Sequence, residues 1–178
     1  MDIFAFVLQF DPSEITGLAA RYGSEQDEEV FKAGSYIRDG NYSRENLKVI
    51  VRWKSARKIA FIDDNTDSEI ARALRFAADT RTSEKLAVEI LDRLHGVGLP
   101  MASAILTAIH PDKYTVIDFR ALESLGVSKW PTDSIDYYVS YLQKCRELAH
   151  KHHVDLRTLD RALWQWSKEH GKQKTACA

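Results

Sequence analysis

The chain has 178 residues and a mass of 20.3 kDa, which is the size of one domain. Hydrophobic residues make up 44% and charged residues 29%, so an extended disordered chain is excluded. Two cysteines, Cys145 and Cys177, exclude a disulfide scaffold and a four-cysteine zinc or iron–sulfur centre. Because no apolar run reaches the roughly 18 residues of a membrane span and Met1–Phe10 lacks a basic leader, we expect a cytoplasmic chain with no membrane partner.

The net charge of −1 is the sum of segments with opposite sign. Residues 1–29 carry seven acidic side chains and one basic one, whereas residues 38–58 carry seven basic and two acidic ones. The net charge of −1 argues against a nucleic-acid binder, because such proteins are usually basic. The basic segment nevertheless offers a local surface for phosphates. Chance variation of charge along solvated helix faces explains the same pattern.

Apolar periodicity and capping residues predict helices almost throughout. Asp11, Ser43, Thr66 and Thr82 are the expected helix starts of the first half. In chain order, the nine predicted short helices begin near Pro12, Ser24, Ser43, Thr66 and Thr82 and then cover Leu99–Ile109, Ile117–Leu125, Asp133–His152 and Leu156–Glu169. Tyr114–Ile117 is β-like but too short for a sheet. The prediction is an all-α domain over residues 1–170, compact or faintly bilobed, with a disordered tail at 171–178.

The predicted buried faces follow from the same periodicity. In the third helix the stripe consists of Leu47, Ile50, Val51 and Trp53. In the helix after Thr82 it consists of Leu86, Ile90, Leu91 and Leu94, and in the last helix of Leu159, Leu163 and Trp164. Trp53 and Tyr42 are also candidates to stack on a base, although core packing is the more common role of such aromatic residues.

The segment Leu94–Leu106 joins two apolar helices through a turn with two glycines, Gly96 and Gly98. Glycines let the backbone adopt positive φ and approach another molecule closely. Pro100 suits the first turn of the following helix, whose free N–H groups and positive dipole end can hold a phosphate. A helix C-cap followed by a tightly packed helix explains the same pattern without any ligand.

The segments Leu94–Gly98, Met101–Ala104 and Tyr114–Ala121 together resemble the helix-hairpin-helix DNA glycosylase superfamily, the group of endonuclease III and the alkyl-base glycosylases. The resemblance covers about Leu86–Leu125, with the hairpin at residues 86–109. It implies that the hairpin holds a DNA phosphate and that the aspartate twenty residues after the last hairpin glycine, Asp118 here, is catalytic. It also implies K⁺ or Na⁺ on the carbonyls of Leu94 and Gly96, with no metal held by side chains.

The resemblance further places Trp53–Arg57 at the turn with which such enzymes probe DNA. The DNA contacts that it implies are Gly96, Val97, Gly98, Met101, Ser103, Arg52, Lys54, Ser55 and Arg57. The sequence departs from the family pattern in two places, and these departures limit the activity that the resemblance implies. Pro100 stands where the strand-cutting members have a lysine nucleophile, so a lyase reaction through that position is excluded. The iron–sulfur cysteines are missing, so no cluster is expected.

Asp118 has two compatible roles. A carboxylate beside the sugar stabilises the positive charge that develops when an N-glycosidic bond breaks, or it activates the attacking water. An aspartate at a helix start also serves as an N-cap. We therefore predict a monomeric DNA-binding protein of base-excision repair, a monofunctional DNA N-glycosylase and hence a hydrolase. The alternatives are a non-catalytic module that senses DNA structure and a protein-interaction domain that uses the hairpin only for packing.

Overall fold

The computed structural model describes residues 5–25, 27–130 and 134–171. Over these ranges the chain is helical and contains no strand. The ten α-helices are α1 Ile15–Arg21, α2 Asp27–Arg38, α3 Arg44–Ser55, α4 Ile59–Ile62, α5 Asp67–Ala78, α6 Glu84–Asp92, α7 Leu99–Ile109, α8 Phe119–Ser124, α9 Ile135–Lys151 and α10 Leu156–His170. Two short 3₁₀ turns, Pro12–Glu14 and Ala56–Lys58, precede α1 and α4.

The predicted all-α class is confirmed. The structure has one helix more than the nine predicted because Ile59–Ile62 forms the single-turn α4. The tail predicted to be disordered lies outside the described residues except for Gly171. Asp133, the predicted start of the eighth helix, also lies outside them. None of the described helices is both long and apolar enough to cross a bilayer.

Capping side chains determine where most helices begin. Asp11 and Thr66 form complete capping boxes with Glu14 and Glu69, and Ser43 accepts a hydrogen bond from the Asn46 amide. Ser83 caps α6 instead of Thr82, and α8 begins after Asp118, two residues later than predicted. The capping residue decides each start because its side chain accepts an otherwise unpaired N–H of the first turn.

Buried apolar side chains from Phe6 to Leu163 form one continuous core cluster. Helix α7 lies inside it and is buried almost along its whole length, while α2, α3 and α6 pack around it. Helices α1 and α8 pack on α10. Helix α3 also contacts α7, and the end of α3 and the start of α7 line one cleft.

The three predicted core faces are each wrong in part. In α6 the buried residues are Ala87, Val88 and Leu91, whereas Leu86 is exposed. The predicted stripe included Leu86 and left out Ala87 and Val88, which are buried because α6 packs on α5 and α7. Trp53 and Trp164 are only half-buried, since both rings face a cleft.

The segment Tyr114–Ile117, predicted to be β-like, pairs with no strand in the described part of the chain. Its backbone polar groups bind side chains instead. Tyr138 and Tyr141 of α9 donate their hydroxyls to the carbonyls of Thr115 and Val116 at 3.1 and 2.7 Å. The amide of Ile117 donates to Ser103 Oγ at 3.1 Å. These bonds satisfy a buried backbone and hold the residues that lead into α8.

Candidate functional site

A cleft of about 670 Å³ opens between the start of α7, the end of α3, the start of α8 and one face of α10. We call Gly96, Gly98, Pro100 and Met101 its hairpin wall, and Tyr22, Trp53, Arg157, Asp160 and Trp164 its aromatic wall. The other lining residues are Lys54, Ser55, Arg57, Lys58, Val116, Asp118, Phe119 and Trp130. This volume suits a small molecule or one extruded nucleotide group.

The side chain of Asn65 binds the backbone of the hairpin turn through two hydrogen bonds. Its side-chain oxygen accepts the His95 amide at 2.7 Å, and its side-chain nitrogen donates to the His95 carbonyl at 3.1 Å. Gly96 has a φ of +85°, and a Cβ at this position would lie 2.6 Å from the Cβ of Phe61. Gly96 therefore has a structural role, because both the backbone conformation and the neighbour exclude a side chain.

Gly98, unlike Gly96, does not use the positive φ that the two-glycine turn suggests. Its φ is −104° and its ψ −179°, an extended conformation open to any residue. A Cβ at Gly98 would meet no atom within 4 Å. Gly98 lines the cleft and is the N-cap of α7, with no side chain to satisfy the first amides of the helix. The missing side chain thus leaves room for an external acceptor at a helix N-terminus.

Two predicted DNA contacts lie in the interior. Ser103 is fully buried, where its hydroxyl donates to the Pro100 carbonyl at 2.8 Å and accepts the Ile117 amide. Its side chain links α7 to the segment before Asp118, so the predicted DNA contact of Ser103 is wrong. The side chain of Val97 is also buried, at 5% exposure, because it packs in the core. Met101 is buried to the same extent but lines the cleft.

Asp118 is the N-cap of α8 and lines the cleft. Its Oδ1 accepts the Ala121 amide at 3.0 Å, and its Oδ2 accepts a hydrogen bond from Lys54 Nζ at 2.8 Å. The two side chains are 17% and 18% exposed, so the ion pair is largely shielded. The cap and the ion pair together determine the orientation of the carboxylate. One carboxylate beside a cationic amine, both at the surface of a cleft, can stabilise positive charge or accept a proton from water.

The predicted probing turn, Trp53–Arg57, lies where α3 ends and the 3₁₀ turn begins. Trp53, Lys54, Ser55 and Arg57 all line the cleft, as does Lys58. Arg52 is exposed but is not a lining residue, because it points from another side of α3. Tyr42 is not a lining residue either; its ring lies under Arg75.

Arg157 is the centre of the aromatic wall. Its guanidinium lies over the rings of Tyr22, Phe31 and Trp53, with 5.3 to 5.4 Å to each centroid. It also donates to Asp160 and, at 2.8 Å, to Asp27. Burial disfavours the charge of Arg157, but Asp160 and Asp27 more than offset this effect and raise its pKa. The cluster therefore keeps a buried cation next to flat aromatic surfaces.

Asp160 is 5% exposed. Burial raises its pKa, Arg157 opposes this shift, and the charge of Asp118 adds to it. The charge of Asp118 therefore acts on the carboxyl of Asp160. One end of the cleft carries a carboxyl paired with Lys54, and the aromatic wall carries one paired with Arg157.

Sequence reasoning missed Tyr22, Arg157 and Asp160 as cleft residues. A signal was present in α10, where Arg157, Asp160 and Trp164 follow the i, i+3, i+7 spacing of one helix face. A charged pair and a tryptophan on one face of a helix whose other face is apolar indicate a special environment. Because the partners Tyr22, Asp27 and Trp53 come from distant parts of the chain, the face could not be assigned to this cleft.

Among the described residues, no group of three or more histidine, cysteine, aspartate or glutamate side chains could hold a metal ion. A K⁺ or Na⁺ on the carbonyls of Leu94 and Gly96 stays a prediction. The Leu94 carbonyl accepts the Val97 backbone amide at 3.0 Å.

No family model matches the chain, and no curated protein matches it. Among solved structures, the chain is similar to the 8-oxoguanine glycosylase/lyase of Methanocaldococcus jannaschii, with 17% sequence identity and a TM-score of 0.43. The match covers 91% of this chain and 89% of the other. That protein was crystallised with a 15mer DNA containing 8-oxoguanine.

Proposed function

We propose that this protein is a monofunctional DNA N-glycosylase that removes a damaged or modified base. The observation that carries the proposal is the position of Asp118. Its carboxylate lines the cleft that the hairpin wall and the aromatic wall form. The site has the parts that excision of an extruded base requires: a place for a phosphate, a carboxylate for the sugar and aromatic surfaces for the base.

The proposed reaction is hydrolysis. Water adds to C1′ of the deoxyribose while the bond between C1′ and the base nitrogen breaks, and the electron pair of that bond leaves with the base. Asp118 stabilises the developing positive charge of the sugar and accepts the proton of the water, which passes on to the departing base. Lys54 is the positioning residue, because its amine holds Asp118 Oδ2 at 2.8 Å.

The first amides of α7 and the cations of Arg57 and Lys58 would contact the DNA backbone. Gly98 leaves open space at the N-terminus of α7, and Arg57 and Lys58 line the same cleft. A K⁺ or Na⁺ on the carbonyls of Leu94 and Gly96 would add positive charge near the phosphate. Binding through such contacts is expected to weaken as the salt concentration rises.

The test is Asp118→Asn, assayed on oligonucleotides that each carry one lesion. Asparagine is as good an N-cap as aspartate, so α8 keeps its start. We expect excision to fall by about 10²- to 10⁴-fold, the usual contribution of a positioned acid or base. DNA affinity in a gel shift should change little. The matched control is Asp155→Asn, which alters the N-cap of α10, where the carboxylate accepts the Thr158 amide at 2.7 Å and does not line the cleft.

Three results would contradict the proposal. Excision by wild-type protein that is equally fast in Asp118→Asn would exclude Asp118 as the catalytic residue. Salt-sensitive DNA binding by wild-type protein with no excision of any lesion would favour the module that senses DNA structure. Failure of the wild-type protein to bind DNA at low salt would favour the third alternative, a protein-interaction domain that uses the hairpin only for packing.

A further inference from the structure

The outer side of the hairpin turn carries a lysine, a phenylalanine and a histidine in contact with one another. We call Lys58, Phe61 and His95 the hairpin shoulder. The rings of Phe61 and His95 meet edge to face with centroids 5.5 Å apart, and Lys58 Nζ lies 5.1 Å from the centroid of Phe61. Lys58 lines the cleft and His95 does not. The hairpin shoulder therefore continues the basic side of the cleft onto the outer surface of the turn.

The backbone of the turn determines where His95 lies. The Val97 amide donates to the Leu94 carbonyl at 3.0 Å, so residues 94–97 form a β-turn with His95 and Gly96 at its corners. The φ of Gly96, +85°, is the one that the third residue of a type II turn requires. Asn65 binds both the amide and the carbonyl of His95. The side chain of His95, which is 59% exposed, therefore projects from a fixed backbone into solvent.

The ring of His95 is oriented by Asp64. Its Nδ1 lies 2.8 Å from Asp64 Oδ2, whereas its Nε2 makes no hydrogen bond to any residue in the described ranges. The two nitrogens lie at opposite edges of the ring, so Nε2 faces away from the carboxylate. The neighbouring acid, Asp63, pairs with Arg44 and Lys48 instead. Nε2 is therefore the ring atom that His95 presents to a ligand.

Stability of the fold does not account for this cluster. The side chains of His95 and Asp64 are 59% and 62% exposed, and exposed ion pairs stabilise proteins little because water and salt screen them. Phe61 is 42% exposed, so its ring also remains largely in contact with water. A surface ring between a lysine and a histidine suits a partner that is both anionic and partly apolar. The DNA backbone has negative phosphates and apolar faces on its deoxyribose rings.

We propose that His95 is a phosphate-binding residue of the DNA site and that it binds in its protonated form. The Nε2–H donates to the phosphate next to the one at the N-terminus of α7, Lys58 adds a second cation, and Phe61 packs on the deoxyribose. The inference rests on the proposed function, because it takes DNA to be bound at the hairpin wall. The charged groups around the imidazole are Asp64, in direct contact, and Lys58, on the same Phe61 ring, and their signs are opposite.

The experiment measures how the affinity for undamaged DNA depends on pH and on salt. A short rhodamine-labelled duplex is the probe in fluorescence anisotropy, because its phosphates keep their charge between pH 8.0 and 5.5. Histidine is the side chain that takes up a proton in this range. Wild-type protein should bind about fivefold tighter at pH 5.5, the effect of one exposed charge-assisted contact. The slope of log affinity against log salt should become steeper by about one unit, because one more phosphate is neutralised.

Three variants assign these effects to one side chain. His95→Gln should lose the gain in affinity and the steeper salt slope, because glutamine keeps the polarity of the side chain but takes up no proton. His95→Lys carries a permanent charge, so at pH 8.0 it should bind as tightly as wild-type protein binds at pH 5.5. His150→Gln, at the exposed end of α9, is the matched control and should keep the wild-type pH dependence.

The outcomes separate this inference from the proposed function. The inference is wrong if His95→Gln shows the pH dependence and salt slope of wild-type protein, or if His95→Lys gains no affinity at pH 8.0. If the glutamine variant does not fold, the lysine variant decides. A gain in affinity that depends on His95, without excision of any lesion, would support the inference and contradict the glycosylase alone. Wild-type protein that binds no duplex at either pH would overturn both.

Discussion

The two walls of the cleft are built in different ways. The hairpin wall is one short stretch of chain, residues 96–101, and presents mainly backbone and small side chains. The aromatic wall combines Tyr22, Trp53 and the Arg157 face of α10, and presents rings and charges. A contiguous backbone site suits a ligand part that is always the same, such as phosphate, whereas assembled side chains suit a part that differs between ligands.

The two walls of the cleft also differ in the interactions that stabilise them. The hairpin wall depends on one glycine in a left-handed conformation and on Asn65 behind it. The aromatic wall depends on a buried guanidinium between two carboxylates. A substitution that adds side-chain atoms disrupts a backbone turn of this kind. A substitution that removes one charged partner disrupts a cluster of ion pairs. The following predictions use this difference.

The largest effect is expected at the aromatic wall. Arg157→Leu leaves Asp160 without its cation and removes one of the two arginines that bind Asp27. Breaking a buried ion pair by removing one partner costs about 3–5 kcal/mol, and we expect the free energy of unfolding to fall by about that amount. Urea denaturation followed by circular dichroism measures it.

Arg81→Leu is the matched control for Arg157→Leu. Arg81 pairs with Asp79 at 2.7 Å, but its side chain is 89% exposed. Removing an exposed ion pair should change stability by less than about 1 kcal/mol. Equal effects of the two substitutions would contradict the view that Arg157 organises the aromatic wall.

The hairpin wall is tested by two glycine substitutions. Gly96→Ala forces a Cβ against Phe61 at positive φ and should destabilise the protein by about 2 kcal/mol. Gly98→Ala should leave stability within about 0.5 kcal/mol, because its Cβ meets open space and its φ is allowed. Thermal unfolding of the two variants provides the comparison.

DNA affinity should separate Gly98→Ala from the other variants. The added methyl group projects into the space that we assign to a phosphate, so affinity should fall several-fold while the fold is kept. A stable Gly98→Ala protein with wild-type affinity at low salt would show that the hairpin wall does not contact DNA.

The smallest effect concerns pH. His110 ends α7, and its Nε2 hydrogen-bonds to the Ala77 carbonyl at 3.1 Å. Burial lowers its pKa from 6.5, and the nearby cations Lys113 and Arg38 lower it further. Because the unfolded chain takes up the proton first, the contribution of His110 is complete above about pH 6.5 and is lost as the pH falls towards the folded pKa.

His110→Asn should therefore flatten the loss of stability between pH 7.5 and 5.5. We expect a small difference between the two proteins in urea denaturation, because His110 is only half-buried and solvent weakens the effect. His150→Asn, at the exposed end of α9, is the control. The same pH slope in both variants would contradict a lowered pKa of the half-buried His110.

Local sequence signals were sufficient for several features that one stretch of chain forms. The N-caps at Asp11, Ser43 and Thr66 satisfy the amides of their own helices, so the pattern identifies them directly. The hairpin at Gly96 is recognisable for the same reason. Local signals were insufficient for Ser103, which looked like a polar residue available to DNA but donates and accepts inside the core.

The sequence by itself determined an all-α chain, a hairpin with two glycines and an aspartate at the start of a later helix, because propensity, caps and spacing act over a few residues. Only the tertiary structure brought Lys54 to Asp118, 64 positions away, and Arg157 to Asp27, 130 positions away. Such contacts depend on how the helices pack around α7, since each pair is stable only where packing shields both charges from water. The hairpin could therefore be recognised in the chain, whereas the aromatic wall emerges from the packing of α1, α3 and α10.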